Sequence, residues 1–452
     1  MGLDLDRIFK AYDVRGVVPS EFDADVARAT GAAFVRLLGA KEIVIAHDMR
    51  DSSVPLSAAF ADGATSQGAD VVLAGLGSTD LLYFAAGSLN IPGAMFTASH
   101  NPAKYNGIKM CRAGAAPIGQ ETGLAEIRDM VAAGVPAATG GKGTMREVDL
   151  LDAYVAHLRT LVDLPGIRPL KVVVDAGNGM GGFTVPAAFT GLPVELVPMY
   201  FELDGSFPNH EANPIEPENL RDLQAAVRAN GADIGLAFDG DADRCFVVDE
   251  RGELVSPSTI TGLVAERELA RDPGGTIIHN VIVSRAVPEL VARLGGTPVR
   301  TRVGHSYIKA EMARTGAVFG GEHSGHFYFR DFWRADSGML AALHVLAALG
   351  GQGRPLSALL DGYACYAASG EINSAVADAA TSIKAIEAAY ADKATDVDLL
   401  DGLTMSFADG SWFNLRPSNT EPLLRLNVEA GDDGTMSRLR DEVLASIRGG
   451  RD

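Results

Sequence analysis

Three short polar segments of this chain carry side chains that could do chemistry together. In Thr97-Ala98-Ser99-His100-Asn101-Pro102, a serine follows the apolar, strand-like run Gly93-Ala94-Met95-Phe96 and precedes a turn that Asn-Pro enforces. In Asp239-Gly240-Asp241-Ala242-Asp243-Arg244, three carboxylates recur at every second residue, so an extended or tightly looped backbone can aim all of them at one point. Three hard oxygen donors without His or Cys suit Mg²⁺, which an oxygen of Ser99 and water would complete. In Arg416-Pro417-Ser418-Asn419-Thr420, a guanidinium that can grip phosphate in a bidentate way is followed by hydroxyls and an amide for the remaining oxygens. A lone loop serine is more often a turn or cap residue. Beside a carboxylate cluster and an anion cradle it points to phosphoryl transfer, with Mg²⁺ and Arg244 lowering the charge barrier to in-line attack on a dianionic phosphate.

Two motifs compete with this reading and fail. Asp239, Asp241, Asp243 and Glu250 match part of a calcium-binding hand, but its sixth position, where that loop requires glycine, is Arg244. The flanking runs 234–238 and 245–248 read as strands, not helices. Gly177-Asn178-Gly179-Met180-Gly181-Gly182 fits G-x-G-x-x-G, with Glu195 further on, and invites a dinucleotide-binding reading. That spacing alone supports it, and it would leave Ser99, the carboxylates and the Arg416 loop unexplained.

Further candidates lie near these loops. Glu322 and Ser324, in Gly321-Glu322-His323-Ser324-Gly325-His326, offer an acceptor and an acceptor/donor for the vicinal hydroxyls of a sugar. His326 and His305 are candidate proton shuttles or substrate contacts, and Arg15 is a second clamp for the reacting phosphate. A net charge of −19 argues against nucleic acid and anionic membranes as partners. Phosphorylated ligands then require local concentration of cations, and Arg15, Lys109, Arg244, Arg416 and Arg425 all fall in or beside the motif loops. A small cationic cleft in an acidic body is expected.

The elements that must position these residues follow an α/β rhythm. Strand-like runs at 42–46, 70–73 and 94–97 alternate with helical periodicity at 24–38 and 55–66. The pattern returns at 171–175, 193–197 and 234–238, and again at 276–283 followed by a helix over 286–294. Such order argues for mostly parallel sheets with helices on both faces. The 452 residues have room for roughly three average domains. The unit appears about three times, followed by a segment with short apolar runs at 411–415 and 423–428. The expectation is three similar mixed α/β domains (1–145, 146–252, 253–368) and a smaller C-terminal α+β domain (369–452) around a central cleft. Apolar residues make up 47% and charged residues 21%, as in ordinary globular proteins. No run of about 18 apolar residues could span a membrane, and the first residues lack the features of a secretory signal. Only Cys111, Cys245 and Cys365 occur, without metal-like spacing, which fits a reduced compartment. A cytoplasmic protein is expected.

The motif loops, in order from Tyr12-Asp13-Val14-Arg15-Gly16 to Glu421-Pro422, resemble the signature loops of the α-D-phosphohexomutases, closest to the phosphomannomutase/phosphoglucomutase branch. The resemblance covers nearly the whole chain. It implies that Ser99 is carried as a phosphoserine that donates its phosphoryl group. Lys109, in Tyr105-Asn106-Gly107-Ile108-Lys109, would be a general acid/base or phosphate contact, with Gly107 letting the chain fold it back over the serine loop. Glu322 and Ser324 would hold the sugar, and Arg416, Ser418, Asn419 and Thr420 the phosphate that is not reacting. The Gly177 loop would be structural. The expected reaction is reversible conversion of mannose 6-phosphate and mannose 1-phosphate through a hexose 1,6-bisphosphate, which also serves as activator; glucose phosphates are the alternative substrates. A sugar-phosphate phosphatase and a non-catalytic sugar-phosphate binding protein are the rivals from other classes. A monomer or loose homodimer is expected. One departure stands out: many relatives carry a lysine just before the Ser/Thr-Arg pair corresponding to Ser284-Arg285, where this chain has Ile282 or Val283. That contact is either absent here or supplied by another residue, with Arg302 and Lys309 as candidates, and the role is not carried over.

Overall fold

The computed structural model describes residues 4–164, 166–376, 378–418 and 423–449. The first sheet comprises β1 (Val14–Val17), β2 (Glu42–His47), β3 (Asp70–Leu76), β4 (Gly93–Phe96), β5 (Tyr105–Cys111) and β6 (Met145–Glu147). The second comprises β7 (Leu170–Asp175), β8 (Val194–Met199), β9 (Ile234–Phe238), β10 (Cys245–Asp249) and β11 (Leu254–Val255). The third comprises β12 (Thr276–Asn280), β13 (Thr297–Thr301), β14 (Phe319–Gly321), β15 (Phe327–Phe329) and β16 (Ala335–Asp336).

Their orders share one plan. Reading β1-β5-β4-β2-β3, β11-β10-β9-β7-β8 and β16-β15-β14-β12-β13, each sheet contains three parallel strands linked by helical crossovers, to which β6 adds a fourth in the first sheet. In each, the last of the three (β4, β9 or β14) then turns back through a hairpin into an antiparallel partner (β5, β10 or β15). The fourth sheet holds β17 (Ala367–Ala368), β18 (Ile372–Ala375), β19 (Ala394–Asp398), β20 (Leu403–Phe407), β21 (Trp412–Pro417) and β22 (Leu423–Ala430), all paired antiparallel. Helices Ala379–Tyr390 and Asp433–Gly449 pack on it. The expected class, three mixed α/β domains and a smaller α+β domain, is therefore what the chain builds.

Boundaries and strand ends differ slightly from the expectation. β6 pairs with β3, so the first sheet reaches past residue 145, and β17 joins the fourth sheet two residues before 369. The strand expected over 276–283 stops at Asn280, whose Oδ1 accepts the Ile282 N–H and turns the backbone.

Burial explains the assembly. Helix Ala24–Leu38 starts on Asp23, which caps the Asp25 and Val26 N–H groups, and ends at Gly39 in the left-handed region. Helices Thr79–Ser88 and Gly338–Gly350 are apolar almost all round and lie where the first three domains meet. A helix of that kind must be enclosed. One contiguous apolar core runs from Val44 and Leu82 through Val172 and Leu236 to Phe319 and Leu346, while the fourth domain encloses a separate core. Among the described residues, no helix is long and apolar enough to cross a membrane.

Candidate active site

The three equivalent hairpins carry three of the four motif loops: Ser99 between β4 and β5, the carboxylates between β9 and β10, and Glu322 to His326 between β14 and β15. The Arg416 loop is the β21–β22 hairpin. The flanks of the carboxylate loop are strands, which rules out a calcium hand. Close approach sets local sequence. A Cβ on Gly240 would lie 2.4 Å from the Ser99 carbonyl oxygen, and one on Gly179 2.7 Å from the Gly240 oxygen. The G-x-G-x-x-G loop thus packs against the carboxylate loop, with Met180 N donating to Gly240 O (2.9 Å).

Ser99 has φ +50° and is buried. Its Oγ donates to Asp239 Oδ2 (2.9 Å), lies 3.2 Å from His100 Nδ1, and accepts from Arg244 Nη2 (3.3 Å). Arg244 also pairs with Asp239 (Nε to Oδ2, 2.9 Å) and donates to His100 Nδ1. Burial, then the charges of Arg244 and Arg15, holds His100 well below its usual range, so the imidazole is neutral. Arg15 reaches the same loop through Asn101 Oδ1 and pairs with Asp13. Arg50, 2% exposed, clamps the loop backbone, donating to the carbonyls of Ser99 (2.9 Å), Asn101 (2.6 Å), Pro102 (3.0 Å) and Tyr105 (3.0 Å).

Asp239, Asp241 and Asp243 are fully buried and offer oxygens within 4.8 Å of one another. Lys109 Nζ donates to Asp241 Oδ2 (2.7 Å) and Asp243 Oδ2 (2.5 Å), and Thr79 Oγ1 to Asp241 Oδ2 (2.6 Å). Burial works against the Lys109 charge, but the two carboxylates outweigh it and raise its pKa, so the side chain is an ammonium. Burial pushes the Asp239 carboxyl up, Arg244 pulls it down, and the neighbouring Asp243 and Asp241 charges leave the balance upward. Burial opposes the Asp241 charge as well, yet Lys109 brings its pKa down. A divalent cation would relieve that crowding. The all-carboxylate donor set fits Mg²⁺, and Asp241 Oδ1 is buried without a hydrogen-bond partner among the described residues. Gly107 plays a different part from the one expected. It is a mid-strand residue of β5 whose Cβ would meet Val14 O at 2.2 Å, and the β4–β5 hairpin register, Met95 opposite Lys109, returns the lysine to the serine loop.

The third domain brings up His326, Ser324 and His305. His326 Nδ1 lies 3.1 Å from Ser324 Oγ, and its Nε2 faces Asp243 Oδ1. Burial, with Lys309 nearby, pushes His305 down to about 3. Glu322 is held from three sides, accepting from Tyr328 OH (2.6 Å), Asn280 Nδ2 (3.1 Å) and Gly304 N (3.1 Å). Lys309 pairs with Asp336 Oδ1 (2.7 Å) over the Tyr83 ring, and Arg302 donates to Leu400 O. In the fourth domain, Arg416 and Arg425 share the two oxygens of Glu371 (3.2 and 3.1 Å), and Arg425 Nη2 reaches Ser418 Oγ (3.4 Å). Both Nε atoms are buried without a partner among the described residues. Asn419 and Thr420 lie outside the described residues. Two cavities flank these groups. One of about 650 Å³ is lined by Arg15, Ser99, Lys109, Arg244, His305 and His326; the other, about 610 Å³, by Ser324, Glu371 and Arg416, and Arg425 lines both.

The match with known families follows this geometry closely. The phosphoglucomutase/phosphomannomutase alpha/beta/alpha domains I, II and III match residues 6–136, 152–252 and 256–366, and the C-terminal domain of that family matches 371–446. A phosphomannomutase of Salmonella montevideo is 43% identical over 447 residues, covering 96% of this chain and 98% of the other. The chain belongs to the phosphoglucomutase/phosphomannomutase family. The phosphomannomutase of Escherichia coli K12 is 41% identical over 449 residues, covering 97% of this chain and 98% of the other. A crystal structure of a phosphoglucomutase/phosphomannomutase family protein from Burkholderia thailandensis superposes with a TM-score of 0.90 at 37% identity, covering 100% of this chain and 99% of the other. Membership makes the chain an isomerase-type mutase.

Sequence reasoning missed several residues that brace these loops. Arg50 gave a faint signal, Asp48-Met49-Arg50 just after an apolar strand. Thr79, Asp336 and Glu371 gave none, since each acts through a partner far along the chain, Asp241, Lys309 and Arg416 respectively.

Proposed function

We propose that the protein is a reversible phosphohexomutase that interconverts mannose 6-phosphate and mannose 1-phosphate. The observation that carries this reading is the meeting of Ser99, the buried carboxylates and the twin arginines of the fourth domain along one pair of adjoining cavities. A mutase needs two anion sites, one that reacts and one that holds, and a phosphatase needs only the first. Asp239, Asp241 and Asp243 would hold Mg²⁺, which when bound supplies a positive charge beside the transferring phosphoryl group.

Phospho-Ser99 gives its phosphoryl group to a sugar hydroxyl. The Ser99 Oγ–P bond breaks, a P–O bond to the sugar forms, and the hydroxyl proton leaves to a base. Arg244 and the Lys109 ammonium stabilise the charge that spreads over the phosphoryl oxygens. Lys109, held as an ammonium, contacts the phosphate, and His305 and His326, which line the Ser99 cavity, are the side chains placed to take the proton. The product is a hexose 1,6-bisphosphate, whose other phosphate then rephosphorylates Ser99 after the sugar has turned over. Arg416, Arg425 and Ser418 hold the non-reacting phosphate, which takes over from the Glu371 carboxylate that now joins the two guanidiniums. Glu322 and Ser324 take the 3- and 4-hydroxyls, which glucose and mannose share.

The test is a Mg²⁺-dependent coupled assay, primed with hexose 1,6-bisphosphate, comparing kcat/KM for mannose 1-phosphate and glucose 1-phosphate. Preference for mannose 1-phosphate, or near-parity, supports the reading. A strong glucose preference makes the protein a phosphoglucomutase, and no turnover of either overturns it.

A further inference from the structure

Asp243 serves two directions at once. Its Oδ2 faces Asp241 and Lys109, while its Oδ1 points the other way, buried and without a hydrogen-bond partner among the described residues. Across from Oδ1 stand His326 Nε2, at 3.6 Å, and Arg244 Nε, at 4.0 Å, with Asp336 Oδ2 beyond, 3.9 Å from the same ring nitrogen. These separations are too long for hydrogen bonds. Ligand atoms of Asp243, His326 and Asp336 nonetheless lie within 4.8 Å of one another. Zinc–nitrogen and zinc–oxygen bonds of about 2.0–2.2 Å place neighbouring ligands of a tetrahedral ion about 3.3–3.6 Å apart. The two separations from His326 Nε2, 3.6 and 3.9 Å, lie at or within a few tenths of an ångström of that spacing.

We propose that Asp243, His326 and Asp336 form a second metal site, selective for a borderline transition ion such as Zn²⁺ or Co²⁺, beside the magnesium carboxylates and joined to them through Asp243. The chemistry of the donors sets the selectivity. One imidazole and two carboxylate oxygens suit Zn²⁺, whereas Mg²⁺ favours oxygen ligands throughout. The surroundings hold the ligands in place. Lys309 fixes Asp336 through its other oxygen (2.7 Å), Ser324 Oγ sits 3.1 Å from His326 Nδ1, and Lys109 anchors Asp243 Oδ2. Residues supporting a ligand in this way raise metal affinity. The ion would tie the second domain's hairpin to the third domain's. It would also occupy the His326 nitrogen that the mutase reading places beside the substrate, so it would inhibit; that consequence, unlike the binding itself, rests on the proposed function.

Titration calorimetry of the Mg²⁺-saturated full-length enzyme with Zn²⁺ tests the site, with released Mg²⁺ followed by an indicator dye. One Zn²⁺ per chain should bind without releasing Mg²⁺, and His326→Gln and Asp336→Asn should each weaken it at least roughly tenfold. Co²⁺ bound at the same stoichiometry should show the visible absorption of a histidine-ligated ion of low coordination number, lost in His326→Gln. Because Asp336→Asn removes the partner of Lys309, circular dichroism checks its folding, and His326→Gln with the cobalt spectrum decides the matter if that variant fails to fold. Release of one Mg²⁺ per Zn²⁺ bound, or Zn²⁺ affinity unchanged in His326→Gln, would overturn the proposal and place the ion at the magnesium carboxylates.

Discussion

The hairpins of the first three domains and the hairpin of the fourth are anchored by different forces. Behind Ser99, the Asp239–Asp243 loop and His326 lies one apolar core shared by three sheets, threaded by two helices buried on nearly every face. The fourth domain has its own core and meets the third through polar contacts: Arg300 with Asp398 (2.6 Å), Val303 N with Asp401 (2.9 Å) and Arg285 N with Glu429 (3.1 Å). Apolar burial stabilises by roughly 25 cal/mol per Å², while a partly exposed ion pair contributes about 0–1 kcal/mol. From this contrast we expect the first three domains to move as one body and the fourth to shift at lower cost. In the proposed mechanism, the groups that meet the reacting phosphorus atom sit on that rigid body, and the grip on the distant phosphate sits on the movable one.

The strongest way to break that division is to remove one group from each side. Asp241→Asn strikes the rigid site and should lower kcat by about 10³-fold, the scale for losing a major electrostatic contribution in the transition state, with KM nearly unchanged in steady-state assays. Arg416→Ala strikes the movable grip. A hydrogen bond to a charged group contributes about 1.5–3 kcal/mol, so KM should rise roughly 10–150-fold while kcat changes less. Equal loss of kcat in both variants would mean that the fourth domain shares in the chemistry.

Stability offers a gentler probe, because the two tryptophans report on different bodies. Trp333 lies near the junction of the first three domains and Trp412 in the fourth sheet. In urea, Trp412 fluorescence measured in Trp333→Phe should change at a lower midpoint than Trp333 fluorescence measured in Trp412→Phe. Coincident midpoints would show one cooperative unit. The smallest effect concerns pH. Burial pushes His279 down to about 4, and it does the same to His305. Unfolded histidines take up protons near pH 6.5, so between that pH and about 4 the unfolded chain binds more protons than the folded one. Stability thus rises with pH across this window and is lost on acidification. The melting temperature of the Mg²⁺-loaded enzyme should fall from pH 7 to pH 5, with a shallower slope in His279→Gln.

Much of this was legible in the sequence because the proposed chemistry rests on loops with unusual composition. Three aspartates at alternate positions, a serine before Asn-Pro and an arginine before Pro-Ser-Asn are rare enough to mark the site before any fold is known. The strands were legible from β-branched runs such as 42–46 and 171–175. What stayed hidden depended on pairing across the chain. Nothing local tells that Arg50 binds four carbonyls of the serine loop, that Thr79 holds Asp241, or that Glu371 joins Arg416 to Arg425. The shared plan of the three sheets was equally faint, since any apolar strand will fill a core and the sequences of the repeats need not agree. Gly107 shows the converse limit: glycine marked a constraint correctly, but the constraint was the close approach of Val14, not a fold-back of the lysine.

The central claim is that Ser99 carries the phosphoryl group and hands it between two hexose phosphates. Its most direct measurement is incubation of the Mg²⁺-loaded enzyme with ³²P-labelled hexose 1,6-bisphosphate, followed by peptide mapping and by chase with unlabelled mannose 6-phosphate. One labelled phosphate should appear on Ser99 and pass to the chasing sugar as bisphosphate, and Ser99→Ala should take up no label and lose nearly all turnover. Label on another residue, release of inorganic phosphate in place of transfer, or retained mutase activity in Ser99→Ala would contradict the account.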